Sequence, residues 1–354
     1  MRRKRIFVAA AVLLVLVAAC DLPSPPVTDP DGAWYQLYFT TPKYPDKKAD
    51  HHGGLDEKLT AFLNTAQTSV DVAIYQLDLS NVTQALLDAK KRGATVRVVT
   101  DIDILNDPKE NPPFKQLQKA GIKVVGGNSN AIMHNKFVVV DRTIVWTGSW
   151  NFTESETYRN NNNAIVIRSP ELALNYIATF EKMFNGKAFG SSRKPGGTTQ
   201  RLSIGGANVE NYFSPEDQVT NKIVMRLKQA ARTVDFMAFS FTSDGLGKIV
   251  MERAQAGVRV RGVFESSNVD EFSEYDKMKQ AGLDVWLDGN PYTMHHKVFI
   301  LDGQTVVFGS FNFSRNADKE NDENLLIVDD TSLAQAFTAE FERVLAQAKN
   351  PPKK

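Results

Sequence analysis

Apolar and polar residues follow two alternating periods along the 354-residue chain, and these periods predict alternating helices and strands. Residues 55–66 carry apolar side chains at helical spacing, and a buried-strand pattern follows at 70–75. The order then repeats, with helices predicted at 82–92 and 114–120 and strands at 95–100 and 122–125. Strands that alternate with helices predict βαβ crossovers in a mixed sheet flanked by helices.

The second half of the chain repeats this pattern. Its predicted helices are 219–231, 246–255 and 274–281, and its predicted strands are 234–241, 258–264 and 283–287. Such self-similarity indicates an internal duplication. We therefore expect an α/β protein of two similar lobes, and the predicted boundaries are lobe one at 35–184, a Gly- and Ser-rich linker at 185–210, lobe two at 211–347 and a tail at 348–354.

The duplicated halves also share a motif of polar residues whose side chains are of the types used in catalysis. Each copy reads His-x-Lys, four residues, Asp and then Gly-Ser-x-Asn. The first copy contains His134, Lys136, Asp141, Ser149 and Asn151, and the second, at a constant offset of 161, contains His295, Lys297, Asp302, Ser310 and Asn312. One His-x-Lys carries little information, but two complete copies at one offset are a specific signal.

The strand period predicts how the pieces of the motif meet. Alternation places His134 and Lys136 on one face of a strand. Hairpin turns centred on Arg142 and Gly303 would set Lys136 opposite Gly148 and His134 opposite Trp150. Asp141 and Asp302 are then interpreted as turn residues rather than as contacts to a bound group.

These residues resemble the paired motifs of the phospholipase D superfamily, and the resemblance covers roughly residues 35–345. It implies two α/β lobes about a pseudo-twofold axis, with one phosphodiesterase site that needs neither a metal nor a cofactor. Both lysines and both asparagines would bind the phosphate oxygens, with Ser149 and Ser310 adding to them. One histidine would attack phosphorus, forming a phosphohistidine, while the other would act as general acid and base.

The lobes differ where family members commonly place a glutamate that supports the histidine. Lobe two has Glu323 and lobe one has Asn162. A carboxylate favours imidazolium, whereas an amide orients the ring without holding it charged. With Glu323 taken as the support of His295, His134 is the expected nucleophile and His295 the expected general acid and base.

The first twenty residues resemble a bacterial lipoprotein signal. Four positive charges precede an apolar run too short to be a comfortable membrane span, and Cys20, the only cysteine, follows it. We expect lipidation at Cys20, a tether at 21–34 and a membrane-anchored protein that faces away from the cytoplasm, at the inner membrane if the host has two. An ordinary secretory signal or an uncleaved anchor are the alternatives.

Two substrate classes remain open. Removal of residues 1–20 changes the formal net charge from +1 to −3, and DNA-binding proteins are usually basic. This charge and the expected anchor favour a phospholipid substrate at a membrane surface, handled by a monomeric body that contains both motifs. The alternative is an extracytoplasmic, metal-independent endonuclease acting on nucleic acid. An inactive scaffold would need a damaged motif, and neither copy is damaged.

Overall fold

The strands of residues 34–353, the part of the chain that the computed structural model describes, form two mixed sheets. The first sheet has the order β1-β7-β6-β5-β2-β3-β4, where the strands are β1 (Tyr35–Phe39), β2 (Ser69–Ile74), β3 (Thr95–Asp101), β4 (Lys123–Gly127), β5 (Lys136–Val140), β6 (Ile144–Gly148) and β7 (Asn163–Arg168). Strands β2, β3 and β4 are parallel, and the remaining pairs are antiparallel.

The second sheet repeats this order and adds an edge strand, giving β12-β11-β10-β13-β14-β15-β9-β8. Its strands are β8 (Arg201–Ile204), β9 (Ala207–Ser214), β10 (Thr233–Ala238), β11 (Arg259–Phe264), β12 (Asp284–Leu287), β13 (Lys297–Leu301), β14 (Thr305–Gly309) and β15 (Glu323–Asp329). The predicted α/β class with two similar lobes is thereby confirmed.

Helices cover these sheets, namely α1 (Leu55–Asn64), α2 (Ser80–Lys91), α3 (Ile102–Asn106), α4 (Pro112–Lys119), α5 (Glu154–Tyr158), α6 (Pro170–Phe184), α7 (Val219–Gln229), α8 (Asp244–Gln255), α9 (Glu274–Gln280), α10 (Arg315–Lys319) and α11 (Thr331–Lys349). In the described part of the chain, none of them combines the length and the apolarity needed to cross a bilayer. The predicted signal at 1–20, Cys20 and the tether up to residue 33 lie outside the described residues.

The predicted linker is not irregular throughout. Within 185–210, β8 pairs with β9 through a two-residue turn at Gly205-Gly206, where both glycines have positive φ. Two-residue hairpin turns favour such residues because an L side chain rarely adopts this conformation. The Gly-Gly pair between two runs of alternating apolar and polar residues could have predicted this hairpin from the sequence. The regular secondary structure of lobe two therefore begins earlier than predicted.

The central core lies between the two sheets. It contains Phe137 and Ile300 from the inner faces of the sheets, with Phe180 of α6 and Phe337 of α11 packed between them. Separate apolar clusters fill the outer face of each sheet. Because the central core includes both lobes, residues 34–353 pack as a single unit.

The predicted hairpin register is confirmed. Val138 pairs with Trp146 and Val298 with Phe308, and continuing both ladders sets Lys136 opposite Gly148 and His295 opposite Phe311. At the turn, the Asp141 carboxylate accepts the backbone N–H groups of Gln67, Thr68 and Ser69 at 2.9, 2.7 and 2.9 Å.

Asp302 makes the same kind of contact in lobe two. Its carboxylate accepts the backbone N–H groups of Ala231, Arg232 and Thr233 at 2.9, 2.7 and 2.8 Å. Although burial opposes it, this backbone bonding lowers the pKa of both aspartates. Both carboxylates therefore tie a hairpin turn to the segment before a neighbouring strand, which agrees with a turn role.

Replacing Gly148 with alanine should destabilise the protein by roughly 1–3 kcal/mol, the range for forced overpacking. Gly148 has φ +152°, and a Cβ there would stand 2.2 Å from the carbonyl oxygen of Asn163. Gly245→Ala is the matched control, because its Cβ would meet nothing within 4 Å in the first turn of α8. Urea unfolding of both variants tests this, and equal stabilities would contradict the close approach of the two strands.

Candidate active site

Each histidine lies just before a strand of its own lobe and is hydrogen-bonded to the backbone of the other lobe. The His134 N–H donates to the Asp322 carbonyl at 2.9 Å, and the His295 N–H donates to the Asn161 carbonyl at 2.9 Å. These bonds belong to short parallel bridges between the lobes. Each histidine is consequently placed beside the residues that begin β15 or β7 of the opposite lobe.

This crossing overturns one expectation. Glu323 does not support His295 of its own lobe, since both of its carboxylate oxygens lie 2.8–2.9 Å from Nδ1 of His134. The pairing follows from the backbone bridge at Asp322, because this bridge places the next residue, Glu323, beside the other lobe. The role assignment built on a pairing within the lobe therefore loses its premise.

His295 has two acceptors at Nδ1. The Asn162 side-chain oxygen lies 3.0 Å away, and Oε2 of Glu156 lies 3.1 Å away. Sequence reasoning identified Asn162 but missed Glu156, which comes from α5. An acceptor at Nδ1 favours the tautomer with the proton there and the lone pair on Nε2. Both histidines can thus present Nε2 for reaction.

The two lysines are fully buried next to the histidines. Nζ of Lys136 donates to the His134 carbonyl at 2.9 Å, and Nζ of Lys297 donates to the His295 carbonyl at 2.7 Å. Nζ of Lys136 also lies 5.6 Å from the Tyr75 ring centre, and Nζ of Lys297 lies 4.4 Å from that of Phe239. These contacts fix each amino group next to the histidine of its own lobe.

The serines of the motif orient the residues that support the histidines. The Ser149 hydroxyl donates to the Asn162 side chain at 2.9 Å, and the Ser310 hydroxyl donates to Glu323 at 2.6 Å. Each hydroxyl also accepts a backbone N–H, from Asn163 or Asn324. The expectation that they add donors to the phosphate is therefore replaced by a positioning role.

The asparagines of the motif follow β6 and β14. Nδ2 of Asn151 donates one hydrogen bond to Glu156 at 3.2 Å, which leaves its second N–H for another acceptor. The side-chain oxygens of Asn151 and Asn312 are both buried without a hydrogen-bond partner among the residues described. The second N–H of Asn151 is therefore available to a bound group.

Burial dominates the electrostatics of the site. It lowers the pKa of His134 and lowers that of His295 to about 3, although Glu323 and Glu156 respectively oppose these shifts. Burial also lowers the pKa of Lys136 to about 8 and that of Lys297 well below its usual value. Both histidines are consequently neutral at pH 7 before an anion binds.

Two carboxylates that sequence reasoning missed hold the segments that lead into the histidines. Asp101, the last residue of β3, accepts the Met133 N–H at 2.8 Å. Glu265, directly after β11, accepts the Met294 N–H at 2.6 Å. Burial raises the pKa of both groups. Asp101 and Glu265 occupy equivalent positions at the ends of corresponding strands, and this repetition could have identified them from the sequence.

The remaining histidines with described contacts are structural. His296 lies between Glu340 at 3.0 Å and the Asn163 amide at 2.8 Å. His51 bonds Asp46 at 2.6 Å and stacks on Tyr158. Within residues 34–353, no group of three or more His, Cys, Asp or Glu side chains could hold a metal ion.

Comparison with known proteins identifies a family for the chain. The family profile "Cardiolipin synthase, PLD-like domain" matches residues 59–184 and 223–345, once in each lobe and together over more than half of the chain. The phospholipase D of Rickettsia prowazekii is 30% identical over 159 residues, which is 45% of this chain and 78% of that protein. The mitochondrial cardiolipin hydrolase of Chlamydomonas reinhardtii is 32% identical over 155 residues, covering 44% of this chain and 66% of that protein.

Among solved structures, the phosphatidylserine synthase of Haemophilus influenzae aligns with a TM-score of 0.65 over 88% of this chain and 86% of that one. Its 12% identity supports the fold alone. The profile match in both lobes decides the family, and the chain belongs to the phospholipase D superfamily of phosphodiesterases.

Proposed function

We propose that the protein hydrolyses the headgroup phosphodiester of phospholipids through a covalent phosphohistidine. The observation that carries this proposal is the pair of buried histidines, each with Nδ1 held by a carboxylate and each beside a buried lysine. In-line displacement at phosphorus needs a nucleophile on one side and a proton donor on the other. The two lobes supply one such histidine each.

The roles follow from how the carboxylates are shared. Both glutamates accept further hydrogen bonds, Glu323 from Ser310 and Asn321 and Glu156 from Asn151 and Asn162. They differ at the histidines, because Glu323 places both oxygens at Nδ1 of His134 whereas Glu156 places one at Nδ1 of His295. The pKa of His295 lies at about 3, which keeps its ring neutral. We therefore assign His295 as nucleophile and His134 as general acid and base, the reverse of the assignment from sequence.

In the first step, Nε2 of His295 forms a bond to phosphorus and the bond to the headgroup oxygen breaks. His134 gives its proton to that oxygen. In the second step, His134 takes a proton from water, which attacks phosphorus and releases phosphatidic acid and neutral His295. Lys136, Lys297, Asn151 and Asn312 stabilise the charge that develops on the phosphate oxygens.

A phospholipid is favoured over nucleic acid by two points. The relatives with the printed names phospholipase D and mitochondrial cardiolipin hydrolase match this chain at 30% and 32% identity. The chain without residues 1–20 carries a formal charge of −3, which is unfavourable for a DNA backbone. Lipidation at Cys20 would hold a monomeric catalytic body at a bilayer outside the cytoplasm, and this placement is part of the proposal.

The first test compares substrates for the detergent-purified full chain in EDTA. Vesicles of phosphatidylcholine, phosphatidylglycerol and cardiolipin should release headgroup alcohol, while single- and double-stranded DNA should stay intact. His295→Ala serves as the blank and should lose at least about 1,000-fold in rate, because it lacks the nucleophile. DNA cleavage without headgroup release would establish the nuclease instead, and loss of activity in EDTA would contradict the two-histidine mechanism.

Trapping of the covalent intermediate tests the roles of the histidines. With bis(p-nitrophenyl) phosphate, whose leaving group needs little protonation, His134→Ala should still form phosphoenzyme but hydrolyse it slowly, because water lacks its base. His295→Ala should form none. Acid-quenched protein analysed by mass spectrometry measures both, and phosphoenzyme in His295→Ala alone would restore the opposite assignment.

The value of kcat/KM should fall as pH rises from about 6 to 9. The reactive protein carries a proton on His134, whose pKa is lowered by burial, so this form declines roughly tenfold per pH unit above that pKa. Near pH 8 Lys136 also begins to lose its charge, and the decline should steepen. Dihexanoyl phosphatidylcholine is a suitable substrate because it has no group that titrates here. A rise in kcat/KM between pH 7 and 9 would contradict this electrostatic description.

A further inference from the structure

Two pairs of equivalent positions differ between the lobes in a compensating way. At the offset of 161 that relates the motifs, Asn162 corresponds to Glu323, and Glu156 corresponds to Ala317. Lobe two therefore has its carboxylate at the start of the strand, and lobe one has its carboxylate six residues earlier. Each lobe contains one glutamate across the two positions.

The structure brings both carboxylates to equivalent atoms. Glu323 reaches Nδ1 of His134 from the first residue of β15. Glu156 reaches Nδ1 of His295 at 3.1 Å from the short helix α5, alongside the Asn162 side chain that occupies the strand position. The Asn162 amide also donates to Glu156, so the two side chains contact the ring as one unit.

Glu156 is not needed to cap its own helix. Thr153 is the N-cap and accepts the Glu156 N–H, and a Thr-x-x-Glu sequence normally returns the glutamate to the N-cap N–H. Here the Thr153 N–H donates instead to the Asn151 carbonyl at 2.9 Å. In lobe two, Ser314 caps α10 in the same way with Ala317 in place of the glutamate.

The side chain of Glu156 also fixes a second member of the site. Its Oε1 accepts a hydrogen bond from the Asn151 amide at 3.2 Å, which orients the N–H₂ group of the motif asparagine. Although burial opposes it, the interactions with His295, Asn162 and Lys297 lower the pKa of Glu156. The buried group is therefore an anion, and its three side-chain partners all belong to the active site.

We propose that Glu156 is the positioning carboxylate of lobe one, which has moved from the strand position to the helix and aligns both His295 and Asn151 for phosphoryl transfer. The proposal rests on the phosphodiesterase function proposed above. Asn162 shares this positioning role, because its side-chain amide contacts both the Glu156 carboxylate and the His295 ring. Glu156 acts through His295 and Asn151 rather than by touching the substrate.

A relocation experiment in the full chain tests this. Glu156→Ala should lower kcat for phosphoenzyme formation by about 100-fold with little change in KM, the loss expected when a histidine loses its orienting carboxylate. The double variant Glu156→Ala/Asn162→Glu rebuilds the arrangement of lobe two and should recover to within about tenfold of the wild type. Ser155→Ala, an exposed neighbour on α5, is the control and should match the wild type.

The outcomes separate positioning from folding. Urea unfolding of each variant measures stability, and a folded double variant that stays as slow as Glu156→Ala would overturn the proposal. Imidazole ¹⁵N NMR provides a readout without activity, because the His295 Nδ1–H signal should shift in Glu156→Ala and return in the double variant. If the wild type cleaves no phosphodiester, the proposed function fails while this NMR comparison still decides the role of Glu156. An unchanged His295 signal in Glu156→Ala would refute the positioning role.

Discussion

The site depends on two short backbone bridges between the lobes. In each, the segment before a histidine exchanges hydrogen bonds with the residues before the last strand of the other lobe, at 2.9 Å for both His134–Asp322 and His295–Asn161. Backbone bonds leave little freedom in register, because a shift by one residue would reverse the side-chain direction. The bridges therefore determine that His134 and His295 are each supported by a carboxylate of the other lobe, and neither lobe contains a complete half-site.

The buried charges of the site are matched in number. Lys136 and Lys297 are opposed by Glu156 and Glu323, all within a region shielded from water. Removing such groups from water is costly unless they interact with one another. Addition of a phosphodiester anion together with one proton on a histidine keeps this balance. In the proposed mechanism, substrate binding is therefore coupled electrostatically to protonation of a histidine.

Much of this arrangement could be predicted from the sequence, because it depends on local periods. The strand alternation and the Asp-Gly turn gave the register of the hairpins, and the repeated offset gave the paired motifs. Contacts between lobes could not be predicted in the same way. The pairing of Glu323 with His134 depends on which backbones meet, and no period in the chain encodes that.

Glu156, the carboxylate on α5, shows a second limit of prediction from the sequence. Thr153-x-x-Glu156 is a capping sequence, and the local rule directs the glutamate to the backbone. Only the tertiary structure shows that the side chain turns to His295 instead. The serines of the motif show the same limit, since they donate to the side chains of Asn162 and Glu323 and no local pattern predicts these contacts.

The presence of both lobes in one chain changes which substitutions evolution can accept. In a symmetric dimer of single lobes, replacing the strand glutamate by asparagine would remove the carboxylate from both histidines at once. In the fused chain, the same replacement at residue 162 affects only His295, and a glutamate on a neighbouring helix can compensate for it. Two lobes in one chain thereby turn one coupled position into two independent ones, so that the surroundings of the two histidines can diverge.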